Sequence, residues 1–271
     1  MSRVLATWAT AVLAAALLAT AAAPAAEAKG GSHSQSSSPS GYDIGWPQCG
    51  GAYPHGQAFG IVGVNDGLAN NWNPCLADEL AWATASAGGT ALPPAALYVN
   101  TADPGQVIAQ ISDWPAKGSN GGPYGTCDGT DTQACSWAYG WERATADIST
   151  FESATGAVAS AYPWWLDVET GNTWESGAGA FANNTADLEG MVAAFTAAGA
   201  AVGIYSTSYQ WGVITGGTST KSSLYELPNW IPGARTQSAA QSNCSLPSFT
   251  GGTVQIAQWF GRYDGDVSCI G

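Results

Sequence analysis

Two carboxyl side chains, Asp167 and Glu169, stand close together in the segment YPWWLDVE. The residues before them are apolar, which predicts a buried strand, Trp164–Glu169, with an acidic end. Because side chains alternate along a strand, both carboxyls share one face, with their Cα atoms roughly 6.6 Å apart. Cleavage of a glycosidic bond needs one carboxylic acid on the leaving oxygen and a second group that stabilises positive charge or positions water. The pair is a candidate for that chemistry, and a strand that simply enters a polar loop is the alternative.

Acidic, amide and aromatic side chains also lie at the ends of other predicted strands. They are Asp43, Tyr205, Gln258 and Trp259, followed by Asp264 and Asp266. Taken singly, they can be turn formers, core residues or parts of a solvated turn. In a barrel, however, the carboxyl ends of the parallel strands meet at one rim and carry the active site. We therefore predict that Asp43 joins Asp167 and Glu169 as a catalytic residue, and that the other five residues bind substrate.

Short apolar strands alternate with longer helical segments, a pattern typical of an α/β fold with a parallel sheet. The predicted strands are Tyr42–Gly45, Phe59–Val64, Ala95–Asn100, Trp164–Glu169, Ala201–Ser206, Asn229–Pro232 and Thr253–Trp259. The predicted helices are Leu76–Ala87, Tyr139–Ala161 and Ala186–Ala198. Seven or eight strands in about 230 residues favour an irregular (β/α) TIM-like barrel over an open sheet. No glycine-rich phosphate loop follows the early strands, which disfavours nucleotide binding.

The N-terminal residues have the composition of a targeting sequence. A short basic start, an apolar run and the small-residue segment Ala26-Glu27-Ala28 predict a secretory signal peptide over residues 1–28. Residues 29–40 are rich in Gly and Ser and predict a flexible leader, so residues 41–271 form the single predicted domain. A membrane anchor is the alternative for the apolar run. We favour export, which predicts a secreted, extracellular protein with no membrane association after cleavage.

Six cysteines follow the predicted cleavage site, and an even number in an exported chain indicates disulfide bonds. The sequence does not choose between the possible connectivities. Pairing of nearest neighbours is preferred, which gives Cys49–Cys75, Cys127–Cys135 and Cys244–Cys269. A zinc site is disfavoured because the chain has no Cys-x-x-Cys pair and only two histidines. We therefore predict no metal and no cofactor.

The charge of the chain limits its partners. The net charge is −13 and no run of basic residues occurs, which argues against binding of nucleic acid or of an anionic membrane. The 13 tryptophans and 10 tyrosines are compatible both with stacking on sugar rings and with an aromatic core, so composition alone leaves that question open. The expected partner is a polysaccharide substrate, and the expected state is a monomer.

Five short segments, in order along residues 41–271, resemble one enzyme family. They are Asp43-Ile44-Gly45-Trp46-Pro47-Gln48, Leu166-Asp167-Val168-Glu169, Gly203-Ile204-Tyr205-Ser206-Thr207, Trp230-Ile231 and Gln258-Trp259. The chain resembles the glycoside hydrolase family 25 lysozymes, which are Chalaropsis-type N-acetylmuramidases, and the related glycoside-hydrolase-like domains of actinobacteria. In that family the first segment reads D-V-S-x-x-Q, the second L-D-V-E and the third G-I-Y-T-S.

The resemblance implies an irregular β/α barrel that hydrolyses the glycan strand of peptidoglycan. It implies that Glu169 is the acid and that Asp167 orients the acetamido group of the substrate or stabilises an oxocarbenium-like state. Asp43, with Asp264 or Asp266, would complete the acidic cluster. A non-catalytic glycan-binding protein on the same barrel is the second hypothesis. A Ser/His hydrolase is disfavoured because His55 is the sole histidine of the predicted domain and no G-x-S-x-G segment occurs.

Overall fold

Eight strands close into a barrel in the computed structural model, which describes residues 39–271. They are β1 Ser40–Ile44, β2 Gly60–Gly63, β3 Ala95–Asn100, β4 Trp164–Asp167, β5 Val202–Tyr205, β6 Asn229–Ala234, β7 Val254–Trp259 and β8 Asp264–Ser268. The order around the barrel is the order along the chain. The predicted α/β barrel is confirmed, and the predicted signal peptide lies outside the described residues, as does the leader up to residue 38.

Strands β1 to β7 run parallel, and β8 runs antiparallel to both of its neighbours, β7 and β1. The sequence analysis did not predict β8, since Asp264-Gly265-Asp266 has low strand propensity. Hydrogen bonding on both edges outweighs that propensity. Gly265 also has a packing role, because a Cβ atom there would lie 2.0 Å from the indole of Trp259.

Five helices cover the barrel: α1 Leu76–Thr84, α2 Gln133–Thr155, α3 Ala180–Ala197, α4 Ser208–Thr215 and α5 Gln237–Asn243. Helix α2 begins six residues before its predicted start, where the Thr132 side chain accepts a hydrogen bond from the Cys135 backbone N–H. It ends at Gly156, whose φ of 70° is the left-handed conformation that closes helices. Helix α3 likewise begins six residues early, at Ala180. Helices α4 and α5 were missed because they are short and only weakly amphipathic.

Alternation along the strands divides the core into two layers. Trp164 and Leu166 of β4 face outward and pack under the helices, together with Leu188 and Phe195 of α3. Trp165 faces the barrel interior, where it packs with Phe59, Ile61, Tyr205, Trp230 and Ile256. Asp167, two residues after Trp165, therefore also points into the barrel. Many of the tryptophans thus belong to the core.

Three disulfide bonds join Cys49 to Cys75, Cys127 to Cys135, and Cys244 to Cys269. The preferred nearest-neighbour pairing is confirmed. The second bond joins the long loop before α2 to the first turn of α2, and the third fixes the residue after α5 to the residue after β8. Within residues 39–271 no helix is both long enough and apolar enough to cross a bilayer.

Candidate active site

One cavity, of about 150 Å³, lies at the carboxyl ends of the parallel strands. We call it the acidic cavity. Its lining residues come from seven of the eight strands or from the residues that follow them: Asp43, Tyr98, Asp167, Glu169, Tyr205, Trp230, Gln258 and Asp264. The register explains this convergence, because Asp167 of β4 lies level with Asn100 of β3 and with Tyr205 of β5. Because β8 runs antiparallel, Asp264 reaches the same end of the barrel from the start of its strand.

Asp167 is buried in the acidic cavity, and its Oδ1 atom has no hydrogen-bond partner. Burial raises its pKa well above the usual value, and the charges of Glu169 and Asp43 raise it further. The backbone carbonyl of Asp167 is held in place because the Thr101 hydroxyl donates a hydrogen bond to it at 2.6 Å. Burial therefore favours a protonated Asp167, and a positive charge placed next to it would favour the carboxylate.

Glu169 follows the end of β4 and is only partly buried, so it lies nearer to solvent than Asp167. Gln210 of α4 donates a hydrogen bond from Nε2 to Glu169 Oε1 at 3.4 Å. The same amide accepts hydrogen bonds through Oε1 from the backbone and the hydroxyl of Thr170, at 2.6 and 3.0 Å. The Trp174 indole donates to the backbone carbonyl of Glu169 at 2.9 Å. Glu169 is thus oriented from its side chain and from its backbone.

Asp43 belongs to a chain of hydrogen bonds across the acidic cavity. Its Oδ2 atom accepts from Gln258 Nε2 at 2.9 Å, and Gln258 Oε1 accepts from the Tyr205 hydroxyl at 3.0 Å. Burial raises the pKa of Asp43 to about 7, with a smaller contribution from the charge of Asp264, while hydrogen bonds from Gln258 and Asp266 oppose the rise. Asp43 therefore titrates near neutral pH.

Asp266 is fully buried and is not among the residues that line the acidic cavity. It accepts a hydrogen bond from Trp230 Nε1 at 2.8 Å and shares another with Asp43. Burial and the charge of Asp43 raise its pKa well above the usual value, so its proton is available to the carboxyl of Asp43. The expectation that Asp266 contacts substrate needs correcting: it supports Asp43 from beneath. Asp264 does line the cavity, and burial raises its pKa as well.

The prediction that Trp259 binds substrate also needs correcting, because Trp259 does not line the acidic cavity. Gln258 faces the barrel interior, so alternation turns the next side chain outward. The Trp259 indole lies against Gly265, and its ring centre is 6.4 Å from that of Tyr42. It packs with the small outer cluster under α5, so it belongs to the outer core.

Two aromatic residues of the acidic cavity, Tyr98 and Trp230, were missed as site residues. The Tyr98 hydroxyl fits because Gly45 and Gly63 have no side chains, since a Cβ atom at either would lie 2.6 Å from it. The Trp230 ring stands edge-on to Tyr205, with 4.5 Å between ring centres. Alternation along the correctly predicted strand β3 could have indicated Tyr98, since it lies two residues before the strand's polar end.

The acidic cavity can donate protons and stabilise positive charge. Burial raises the pKa of Asp43 to about 7 and that of Asp167 well above its usual value, and Glu169 lies nearer to solvent than either. Among residues 39–271, no three His, Cys, Asp or Glu side chains are grouped so that they could hold a metal ion. The aromatic walls of Tyr98, Tyr205 and Trp230 lower the local dielectric constant, which strengthens the effect of each charge.

Comparisons with known proteins found similarity to one family model and to two solved structures. A family model described as "Lysozyme-like protein 1" matches residues 146–250, which contain Asp167, Glu169 and Trp230, so the resemblance noted in the sequence is confirmed over this segment. Among solved structures, the muramidase from Acremonium alcalophilum is 15% identical, with 84% of this chain and 92% of that chain covered and a TM-score of 0.46. The bacterial lysozyme from Streptomyces coelicolor is 15% identical, with 86% and 93% covered and a TM-score of 0.45. No curated protein matches the chain.

Proposed function

We propose that this protein is a secreted glycoside hydrolase that cleaves the N-acetylated glycan strand of peptidoglycan, in the manner of a muramidase. One observation carries the proposal: Asp167 and Glu169 open into the same cavity at the carboxyl ends of the barrel strands. They differ in burial, as two carboxyls with different roles require. The match to the lysozyme-like family covers β4 and the residues after it, including Asp167 and Glu169, and supports the proposal.

Glu169 is the proton donor in this proposal. Its position toward the mouth lets it meet a glycosidic oxygen, and Gln210 holds its carboxyl in one orientation. The bond between the sugar carbon and the leaving oxygen breaks, and the proton of Glu169 passes to that oxygen. Water then adds to the sugar carbon, and the proton that it loses restores the carboxylic acid of Glu169. Asp167, deeper in the cavity, stabilises the positive charge that develops on the sugar or orients its acetamido group.

Asp43 helps to position the substrate in this proposal, and its hydrogen-bond partners fix the orientation of its carboxyl. Gln258 and Tyr205 fix it from one side and Asp266 from the other, so its carboxyl has a single orientation toward the cavity. Tyr98 and Trp230 supply flat walls on which the apolar face of a sugar ring can rest. Charged, hydroxyl-bearing and aromatic groups thus surround one small volume. This combination suits a sugar ring, which has polar hydroxyl groups at its edge and apolar faces.

The three disulfides support an extracellular location, since such bonds persist in oxidising compartments. Export through the signal peptide of residues 1–28, and action as a monomer, are parts of the same proposal. The second candidate is a glycan-binding protein that does not cleave.

A wall-clearing assay tests the proposal, with mass spectrometry of the fragments released from purified peptidoglycan. The wild type should clear a suspension of bacterial walls and release fragments with new reducing ends. Glu169→Gln removes the transferable proton and keeps the shape, so turnover should fall about 10²–10⁴-fold while binding to walls persists. Asp167→Asn should also lower turnover. Glu226→Gln is the matched control, since Glu226 is exposed and lies outside the acidic cavity.

Two results would contradict this reading. A Glu169→Gln variant as active as the wild type would remove Glu169 from the mechanism. A folded wild type that binds walls without releasing fragments would support the non-catalytic candidate.

A further inference from the structure

A second cavity, of about 460 Å³, lies beside the mouth of the acidic cavity. We call it the aromatic cavity. The segment after β4 and helices α3 and α4 enclose it. Three of its lining side chains are large and apolar, Trp174, Phe181 and Val213, and we call them the apolar wall; Thr170, Asn172 and Ser176 are polar. A lining that combines apolar side chains with hydroxyl and amide groups suits a sugar ring.

The two cavities meet at consecutive residues. Glu169 lines the acidic cavity, and Thr170 lines the aromatic cavity. Gln210 bridges them, because its amide accepts hydrogen bonds from Thr170 and donates one to Glu169. Trp174, in the apolar wall, donates its indole N–H to the carbonyl of Glu169. A polymer held in the acidic cavity would therefore have its next unit close to the aromatic cavity.

Two side chains of the apolar wall are unusually exposed to solvent for large apolar residues. Phe181 is 52% exposed and Val213 is 48% exposed, although both are large and apolar. Phe181 is held in position, because its ring lies over Gly216, where a Cβ atom would come within 2.6 Å of it. A fixed, exposed aromatic ring at the edge of a cavity offers a preformed surface for a ligand.

The aromatic cavity is suited to a neutral ligand. Its one acidic side chain among the lining residues is Glu175, which is buried, and burial together with a hydrogen bond that the protonated carboxyl donates to Asp131 raises its pKa to about 8. Its Oε2 atom accepts a hydrogen bond from Asn183 at 3.0 Å. The carboxyl is therefore uncharged at neutral pH and adds polarity without charge. A peptide bearing carboxylates or ammonium groups would find no counter-charge among the lining residues.

The geometry points to a saccharide subsite: the aromatic cavity binds one neutral N-acetylated sugar unit of a chain whose neighbouring unit enters the acidic cavity. The inference rests on the proposed function and names where that substrate is held. The volume of the aromatic cavity, about 460 Å³, lies within the range of small-molecule pockets. Binding energy gained here would position the bond to be cleaved next to Glu169.

Titration calorimetry with tri-N-acetylchitotriose tests the subsite without requiring turnover. The probe is a chain of neutral N-acetylated sugars, and mass spectrometry would check that it stays intact. Phe181→Ala and Val213→Ser should each weaken binding about tenfold or more, since each removes part of the apolar wall. Tyr209→Ala is the matched control, because Tyr209 lies on the same helix as Val213, is 76% exposed and does not line the aromatic cavity.

Wall clearing, measured on the same variants, distinguishes failure of the subsite from failure of the proposed function. Phe181→Ala should raise KM with little change in kcat, because it removes binding and leaves the carboxyls in place. A wild type that binds the trisaccharide through Phe181 without clearing walls would refute the proposed function and keep the subsite. A wild type that clears walls, with equal trisaccharide binding and equal KM in Phe181→Ala, would overturn the subsite. Failure of the wild type to bind the trisaccharide at millimolar concentration would also overturn it.

Discussion

Replacing the buried Asp147 by Asn should remove a large part of the pH dependence of stability. Asp147 lies on α2 and is 2% exposed. Its Oδ1 atom accepts a hydrogen bond from Asn65 Nδ2 at 2.8 Å, and its Oδ2 atom has no partner. Burial raises its pKa from 3.8 to about 8, against the opposing effects of Asn65 and of the charge of Arg143.

The sign and size of the effect follow from that shift. The folded protein keeps the proton of Asp147 up to about pH 8, whereas the unfolded chain loses it near 3.8. The folded state therefore binds the extra proton between these values, and the free energy of unfolding falls as the pH rises between them. One pH unit corresponds to about 1.4 kcal/mol, so the wild type loses up to about 4 kcal/mol through this group between pH 5 and pH 8. Asn has a similar shape and does not titrate.

Urea denaturation at pH 5 and pH 8, with the disulfides intact, measures the difference. The free energy of unfolding of Asp147→Asn should approach or exceed that of the wild type at pH 8, and the gap between the proteins should change by up to about 4 kcal/mol between the two pH values. Asp78→Asn, at an exposed position on α1, is the matched control. Parallel pH curves for the wild type and Asp147→Asn would refute the assignment of a buried, protonated Asp147.

The wild type should melt at a higher temperature at pH 5 than at pH 8, because other buried carboxyls also have raised pKa values. Burial raises the pKa of Asp103, for example, to about 7. A higher melting temperature at pH 8 would contradict this. Replacing both Cys244 and Cys269 by Ser opens a loop of 25 residues and should cost about 3 kcal/mol in urea denaturation. Trp230→Phe leaves Asp266 Oδ1 without its donor and should cost about 1–3 kcal/mol, with a loss of wall clearing; unchanged stability and activity would speak against this contact.

The barrel could be predicted because its strands are apolar and regularly spaced. Strand β3 has its predicted bounds, and the pairing of neighbouring cysteines also agrees with the structure. The start of α2 was placed too late because the apolar pattern of the helix begins after its capping residue, Thr132. Strand β8 could not be predicted from its own residues, because other strands supply its hydrogen-bond partners. Strand β1 is distant in sequence, and β7 is joined to β8 by a hairpin.

The acidic residues of the candidate site could be named because acidic strand ends in a barrel meet at one rim. The convergence of Asp43, Asp167 and Glu169 on one cavity follows that expectation. The catalytic roles of Asp167 and Glu169 and the positioning role of Asp43 belong to the proposed function. Alternation of side chains along the strands separates inward-facing from outward-facing neighbours, and it would have indicated Tyr98 as a site residue. Trp259 was placed in the cavity because its position after Gln258 was read without applying the alternation of side chains.

The direction of β8 has a consequence for how the protein can be attached to a support. Ser40 pairs with Val267, so residue 40 and the residues after β8 leave the barrel at the same end. Because the parallel strands point their carboxyl ends at the acidic cavity, this end is the opposite one. A linker joined after Gly271 would therefore hold the protein with its cavity facing away from a bead or sensor chip, where a bulky insoluble polymer can reach it.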